Sequence, residues 1–341
     1  MKPLSEESLN LRHRLLNPSH LHGRRTGRVR PNATVERPVA STLDRLKRLT
    51  SPDPPRDPMT TFSDKFVAFV DVLGFKSLVV ESERGMGIPL AELLELLQKL
   101  GNGKERGRFD EYGPTCCPMA PRIEKNLDFR VTQISDCVIV SSEVSPAGVI
   151  NLISHCWGAV IELMARGIMC RGYIRRGRVF HTDTQVIGSG YQEAYLAESR
   201  VSAFKREADE RGTPYIEVDA EVAAYVESQP DSCVKMMFGR MVKRDGDTVV
   251  LFPFQRLQHS FIVAGFGHKF DPAKELASND NLRKNLLRYI EKVRANVDPC
   301  NKSALMKANH YVEALRAQLR ACDETDRTIH MLSSPVGKVA M

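Results

Sequence analysis

The alternation of apolar and polar positions predicts strands interspersed with helices over most of the chain. Residues 66–73 form a nearly continuous apolar run, which Asp71 interrupts and Gly74 ends. Such a run is typical of a central strand that is covered on both faces. Residues 129–140 predict two more strands that join at Ser135-Asp136. The other predicted strands lie within 168–180 and 215–218.

Apolar residues at helical spacing predict the helices. Leucines three and four residues apart indicate an amphipathic helix over 88–100. Residues 146–166 predict a long apolar helix, with Pro146 near its first turn, where a missing N–H donor does no harm. The other predicted helices lie within 188–207, 279–297 and 302–321. Strands that alternate with helices favour an α/β or α+β protein with one central sheet.

The first sixty residues differ in composition from the rest of the chain. They hold eight of the nineteen prolines, and four of these lie in the stretch 51–58. Proline lacks an N–H donor and disfavours helix in the residue before it, so this stretch is typical of an extended linker. We expect a disordered, basic, proline-rich tail over 1–60, a folded domain over 61–275 and a C-terminal helical extension over 276–341.

The net charge of +7 comes mainly from that tail. Residues 1–60 hold 12 of the 49 basic and 6 of the 42 acidic residues, so the remaining chain carries only +1. A nearly neutral body gives little support for a nucleic-acid groove. No apolar run approaches the roughly 20 residues of a membrane-spanning helix, and the N-terminus lacks a secretory signal pattern. We expect a soluble, cytoplasmic protein whose partners are neither nucleic acid nor membrane.

Several familiar sites are not indicated. The eight cysteines show neither a CxxC pair nor zinc-knuckle spacing. Gly172 and Gly177 lack the Lys-Ser/Thr of a phosphate-binding P-loop, and Gly188-x-Gly190 lacks the third glycine of a dinucleotide-binding turn. We expect these glycines to serve strands and turns.

The informative feature is a carboxylate inside an apolar strand. Burying Asp71 is costly unless a positive group pairs with it, and the run 66–73 contains no Lys or Arg. A divalent cation is a natural partner, and Gly74 permits a tight turn whose N–H groups can face phosphate oxygens. If the strands are adjacent, Asp71 and Asp136 can converge on Mg²⁺ or Mn²⁺ that bridges a nucleoside triphosphate. Taken singly, each acid could instead cap a turn.

Three short segments, in this order, resemble motifs of the class III nucleotidyl cyclases. Residues 69–76 (FVDVLGFK) are similar to the first-strand metal motif of that family, and 132–137 (TQISDC) to the hairpin that carries its second metal-binding aspartate. Residues 188–198 (GSGYQEAYLAE) resemble its loop-helix signature. The sequences LGFK and EAY are most similar to those of the pyrimidine cyclases of the Pycsar anti-phage system. The resemblance covers about residues 65–220.

The resemblance implies an α+β fold with a central, mostly antiparallel sheet flanked by helices, and it makes 61–275 the catalytic domain. It implies two divalent cations, Mn²⁺ or Mg²⁺, held by Asp71, Asp136 and the backbone carbonyl of Val72. The positions that would wrap the triphosphate are Gly74, Phe75 and Lys76.

Several positions depart from the family pattern. Thr132 and Gln185 stand where purine-specific members use a Lys and an Asp to recognise adenine, which favours a pyrimidine base. Gln192 could replace the Asn that the family presents to the transition state, whereas Leu196 occupies the position of its Arg. The arginines that could supply the missing charge are Arg171, Arg175, Arg176 and Arg200.

The implied activity is that of a pyrimidine nucleotide cyclase that converts UTP to 3′,5′-cyclic UMP and pyrophosphate by two-metal catalysis. The family builds each site from two chains. A homodimer is therefore implied, with Asp71 and Asp136 from one subunit and Gln192 from the other. The resemblance further implies second-messenger synthesis in phage defence, with a separate effector that senses the cyclic nucleotide.

Three alternatives stay open. The product could be cyclic CMP made from CTP, since Thr132 and Gln185 can each pair with either pyrimidine edge. The chain could be a non-catalytic nucleotide-binding dimer module, because Leu196 stands where an arginine is expected. A palm-like polymerase or dinucleotide cyclase would form intermolecular phosphodiesters instead.

Overall fold

The computed structural model describes residues 61–100, 117, 119–259 and 270–333, which all belong to one compact unit. The predicted tail over 1–60 lies outside the described residues. The strands in these ranges are β1 (Ser63–Val72), β2 (Arg130–Ile134), β3 (Cys137–Glu143), β4 (Cys170–His181), β5 (Val186–Ile187), β6 (Ile216–Val218), β7 (Val242–Asp245) and β8 (Thr248–Leu251). The helices are α1 (Phe75–Glu83), α2 (Leu90–Leu100), α3 (Pro146–Met164), α4 (Ser189–Glu198), α5 (Ala220–Glu227), α6 (Ser232–Met241), α7 (Pro272–Ala295) and α8 (Lys302–Ser333). A 3₁₀ helix covers Pro253–Leu257.

The strands form one mixed sheet in the order β2-β3-β1-β4-β6-β8-β7, and β5 pairs with β4. Along the chain, β1 to β4 follow a β-α-β-β-α-β path, the split βαβ arrangement. Strand β1 lies between β3 and β4 and is antiparallel to both. Within the described ranges, the pairing of β4 with β6 is the parallel one. Strand β1 is therefore central, as its apolar run predicts.

The main core lies on the side of the sheet that carries Phe66, Ala68 and Val70. Helix α3 packs there, and it begins after Ser145, whose hydroxyl oxygen accepts the Gly148 N–H over 3.0 Å. By length and composition α3 could cross a membrane, but 67% of its most apolar window is buried inside the fold. It is a core helix, which is consistent with a soluble protein.

The opposite side of the sheet carries Phe69 and Asp71 and has a smaller apolar cluster. Helix α4 covers β1 on this side. The rings of Tyr191 and Tyr195 lie 6.3 and 5.3 Å from the Phe69 ring, and Ala194 is fully buried. Asp71 thus lies on the side of the sheet that α4 covers.

The close approach of α4 to β4 depends on glycine. A Cβ on Gly177 would lie 2.6 Å from the Cα of Gly190, so a side chain has no room between them. Gly188 has φ +143°, and a Cβ there would lie 2.4 Å from the carbonyl oxygen of Arg178. These glycines serve strand and turn packing, in line with the sequence interpretation.

Helices α7 and α8 pack antiparallel to each other and onto the body. Asn279 of α7 donates to the Cys322 carbonyl of α8 over 2.8 Å. After the last turn of α7, Asn296 donates to the Arg166 carbonyl over 2.9 Å. Tyr311 of α8 is buried in the main core. The C-terminal helices therefore share the core of the sheet, and the predicted division at residue 275 stays a prediction.

The coarse fold prediction, an α+β protein with a central sheet and a C-terminal helical part, is confirmed. Three helix boundaries differ clearly from those predicted, and the first is the end of α4, which lies at Glu198 and not at residue 207. Helix α7 begins at Pro272, because the Asp271 carboxylate caps its first turn and proline is well tolerated there. Helix α8 continues to Ser333, and Arg283 of α7 pairs with Asp326 in its second half over 2.7 Å.

Replacing Gly188 by alanine should lower the free energy of unfolding by about 2–3 kcal/mol, because both its φ and the nearby backbone exclude a Cβ. Gly158 lies inside α3 with open space around the Cβ position. Gly158→Ala should therefore raise the free energy of unfolding by about 0.5–1 kcal/mol. Chemical denaturation measures both values, and effects of the same sign would contradict the described packing.

Candidate functional site

Asp71 and Asp136 are close in the backbone at one end of the sheet, where β1 finishes beside the turn between β2 and β3. Asp71 is directly opposite Cys137 of β3, so the preceding residue, Asp136, is its neighbour. The Val72 N–H donates to the Asp136 carbonyl oxygen over 3.1 Å. Both acidic side chains are half-buried. The backbones of these two acidic residues, which β2 and two helices separate in sequence, are thus adjacent in the fold.

Asp136 stands in a two-residue turn between β2 and β3. Ile134 and Cys137 are cross-strand partners, so Ser135 and Asp136 alone form the connection. Ser135 has φ +55°, a backbone conformation that tight hairpin turns use. The Cys137 thiol donates to the Ile134 carbonyl over 3.0 Å. A turn this short holds the Asp136 backbone in a defined position.

A glycine turn joins β1 to α1 beside the two acids. The Leu73 N–H donates to the Met169 carbonyl over 2.9 Å, and Gly74 has φ +77° with open space around it. Helix α1 begins at Phe75 without a side-chain cap, and Lys76 is exposed on its first turn. Backbone N–H groups at a helix start and a nearby lysine are suited to anions.

Arg171 lies opposite Asp71 on the other neighbouring strand, β4. Its Nε donates to the Glu198 carboxylate at the end of α4 over 2.5 Å, and the two side chains are 16% and 7% exposed. Gly212 packs against the guanidinium, since a Cβ there would lie 2.1 Å from Nη1. The charge of Arg171 is therefore already balanced by Glu198.

The other candidate arginines are placed differently. Arg175 forms an ion pair with Glu193 of α4, and Arg176 forms one with Asp64 over 2.7 Å. Arg200 is exposed just beyond the end of α4. Of the four arginines, Arg200 thus has the most exposed position.

Thr132 belongs to a buried chain of hydrogen bonds. Its hydroxyl donates to the Thr182 carbonyl over 3.2 Å, so it accepts from His181 Nε2 over 3.0 Å. His181 Nδ1 then accepts from the Ser141 hydroxyl over 2.7 Å. This assigns the neutral Nε2–H tautomer to His181. Burial, together with the positive charge of Lys65, lowers the pKa of His181 to about 3.

Thr132 and Gln185 both bond to Thr182, in the turn between β4 and β5. The Thr182 N–H donates to the Gln185 carbonyl over 2.8 Å, which closes this turn. The Gln185 side chain is exposed, whereas Thr132 is 8% exposed and its hydroxyl hydrogen is engaged with Thr182. Thr132 thus holds the turn that presents Gln185. Contact of either side chain with a base stays a prediction.

Gln192 and Leu196 lie one turn apart on the exposed side of α4, while Glu198 is buried. Leu196 is 53% exposed. Ile134, at the end of β2, is a second exposed apolar residue, and its cross-strand partner Cys137 packs on the α4 side of the sheet. Gln192 therefore faces away from the body of its own chain.

The atoms that could bind a metal at the end of β1, near Asp71, are oxygens. In the part of the chain that the structure describes, no group of three or more His, Cys, Asp or Glu side chains could hold a metal ion. Asp71 and Asp136 supply two carboxylates, to which the Val72 carbonyl can add a third oxygen. Burial, and next the charge of Asp71, raise the pKa of the Cys170 thiol, so it stays protonated. This donor set fits Mg²⁺ or Mn²⁺ whose coordination substrate phosphates and water complete.

Three residues near the site carry no recognisable signal in the sequence. Glu198 and His181 acquire their roles through contacts with Arg171 and Thr132, which depend on how β4 and α4 fold over the sheet. Lys307 of α8 lies far along the chain from Asp71, yet Asp71 is among the groups that act on its charge. Such residues can be found only once the tertiary structure is known.

No family model matches this chain, and no curated protein matches its sequence. The features of this chain that bear on its function are the three sequence motifs, the register of the sheet and the chemistry of the residues where β1 ends.

Lowering the pH should destabilise the fold through His181. Its pKa is about 3 when folded and roughly 6.5 when unfolded, so the unfolded chain takes up the proton first. Stability should fall as the pH drops below about 6.5, by about 2 kcal/mol between pH 7 and pH 5. Thermal unfolding of His181→Gln should show a shallower pH dependence than the wild type. An unchanged dependence would contradict the assigned chain of hydrogen bonds.

Proposed function

We propose that this protein is a pyrimidine nucleotide cyclase that converts UTP to 3′,5′-cyclic UMP and pyrophosphate. The observation that carries the proposal is the juxtaposition of Asp71 and Asp136 at one sheet edge, beside the Gly74 turn. The order of these elements along the chain is the one in which the class III cyclase motifs occur.

The cations would be held by the carboxylates of Asp71 and Asp136 and the carbonyl oxygen of Val72. Bound there, two Mg²⁺ or Mn²⁺ ions supply positive charge to the triphosphate and to the leaving pyrophosphate. The contribution of the chain is positional. The hydrogen bond from the Val72 N–H to the Asp136 carbonyl holds the turn that carries Asp136 against the end of β1, next to Asp71.

The phosphates would lie over the turn from β1 to α1. Gly74 has no side chain to obstruct them, α1 begins directly after it without a side-chain cap, and Lys76 adds an exposed ammonium. In the reaction, the 3′ oxygen forms a bond to the α-phosphorus, and its proton passes to solvent water. The bond from the α-phosphorus to the bridging oxygen breaks, and pyrophosphate leaves.

The base would contact the turn between β4 and β5. The exposed Gln185 amide offers both a donor and an acceptor, and Thr132 holds the turn from below. Neither side chain carries the fixed charge that favours adenine in purine cyclases. By rotating, the amide can form hydrogen bonds with either uracil or cytosine. CTP, which would give cyclic CMP, is therefore the second candidate substrate.

The active form would be a homodimer with two composite sites. Gln192 is exposed on the outer side of α4, so it is available to reach the Asp71 edge of a second copy. The exposed apolar residues Leu196 and Ile134 would be covered in such a contact. Arg200, exposed next to the same helix, is the candidate for the charge that Leu196 does not provide, and Arg171 would serve only after it leaves Glu198.

By its resemblance to the Pycsar cyclases, the enzyme would make a second messenger in anti-phage defence. A separate effector that senses the cyclic nucleotide would be the downstream partner.

A second candidate function is that of a nucleotide-binding dimer module without catalysis. The observations that favour it are Leu196 at the position of the family arginine and the pairing of Arg171 with Glu198. Such a module would bind UTP and release it unchanged.

Turnover of each nucleoside triphosphate by the purified chain with Mn²⁺ tests these functions, with product mass as the readout. We expect cyclic UMP, and a loss of about a hundredfold or more in rate for Asp71→Asn and for Asp136→Asn. Asp247→Asn, in the exposed turn between β7 and β8, is the matched control and should retain the wild-type rate. Tight binding without product would favour the module, and linear or dinucleotide products would indicate intermolecular phosphodiester formation.

A further inference from the structure

Helix α8 is hydrogen-bonded to β4 beside the end of β1, where Asp71 lies. The Cys170 N–H donates to the Tyr311 hydroxyl over 3.4 Å, and Cys170 is the cross-strand partner of Val72. One position earlier on α8, His310 contacts Glu210 over 2.6 Å, and both side chains are almost fully buried. Two buried contacts thus fix the same face of α8 next to the end of β1.

Lys307 lies one turn before these two anchors, on the same face of α8. Residues three and four apart on a helix are neighbours, and long helical side chains point toward the N-terminal end. Lys307 is half-buried, and the charges of Arg171, Glu198, Glu210 and Asp71 all act on it. Its ammonium therefore lies within the electrostatic field of the proposed nucleotide site.

We propose that Lys307 binds the β- and γ-phosphates of the nucleotide, so that the C-terminal helix contributes a residue to the site. This inference rests on the proposed function and extends it to a helix outside the segment that resembles the cyclases. The ligand chemistry is that of a polyphosphate, either a nucleoside triphosphate or its pyrophosphate product.

The distribution of charge supports this assignment. Arg171 is engaged with Glu198, whereas among the described residues no carboxylate lies within 4 Å of the Lys307 ammonium. Burial, and next the charge of Arg171, lower the pKa of Lys307, and the carboxylates act in the opposite direction. A half-buried ammonium without a direct counter-ion is stabilised when an anion binds beside it. A polyphosphate next to Asp71 would supply that anion.

Binding of UTP, UMP and inorganic pyrophosphate by calorimetry tests the proposal on the full chain with Mg²⁺ present. We expect Lys307→Met to weaken UTP and pyrophosphate by about tenfold or more, and UMP by less than about threefold. Lys307→Arg should restore most of the loss. Lys302→Met, at the exposed start of α8, is the matched control and should bind like the wild type.

The outcomes separate this inference from the proposed function. Unchanged UTP and pyrophosphate affinity in a folded Lys307→Met variant that still cyclises UTP would overturn the role of Lys307 alone. Pyrophosphate binding that depends on Lys307, in a chain that makes no cyclic product, would support the phosphate site and count against the cyclase. Equal weakening of UMP and UTP would indicate a structural role and overturn the inference. A wild-type chain that binds neither UTP nor pyrophosphate would overturn both.

Discussion

The site depends on the hydrogen bonds that β1 forms with β3 on one side and with β4 on the other. Pairing with both neighbouring strands places Asp71 opposite Cys137 on β3 and opposite Arg171 on β4. A slip of one residue would turn Asp71 to the main core and one of its apolar neighbours to the other face. The apolar residues of β1 prevent this slip, because Phe66, Ala68 and Val70 must remain in the core. Packing on one face of the sheet therefore positions the acid on the other.

The two faces of the sheet also differ in role. One face packs the main core, and the other carries the polar groups of the proposed site. The main core holds α3, and α7 and α8 share it, whereas the opposite face has a smaller apolar cluster, the buried chain through His181, and α4. Polar and charged groups can occur on this second face because they satisfy one another, as Arg171 and Glu198 do. Helix α8 is linked to both faces, since Tyr311 is buried in the core and the charge of Asp71 acts on Lys307, one turn away.

Local patterns in the sequence predicted most of the fold, because apolar periodicity is a property of short segments. The apolar run of β1, the Ser135-Asp136 turn and α3 all follow from such patterns. The start of α7 was missed, because the cap at Asp271 precedes a segment with little apolar periodicity. Sequence reasoning could list Thr132 as a candidate but could not predict its bond to His181, which forms only when β4 folds back over the sheet. Lys307 was missed for the same reason.

The most direct test of the account is a double-mutant cycle on Mn²⁺ binding, measured by electron paramagnetic resonance with a UTP analogue that cannot cyclise. If Asp71 and Asp136 hold the same cations, Asp71→Asn and Asp136→Asn should each weaken Mn²⁺ binding. The double variant should then lose far less than the two separate losses combined, because the second carboxylate has little left to hold. Strictly additive losses, or no loss in either single variant, would show that these carboxylates do not form one site and would contradict the central claim.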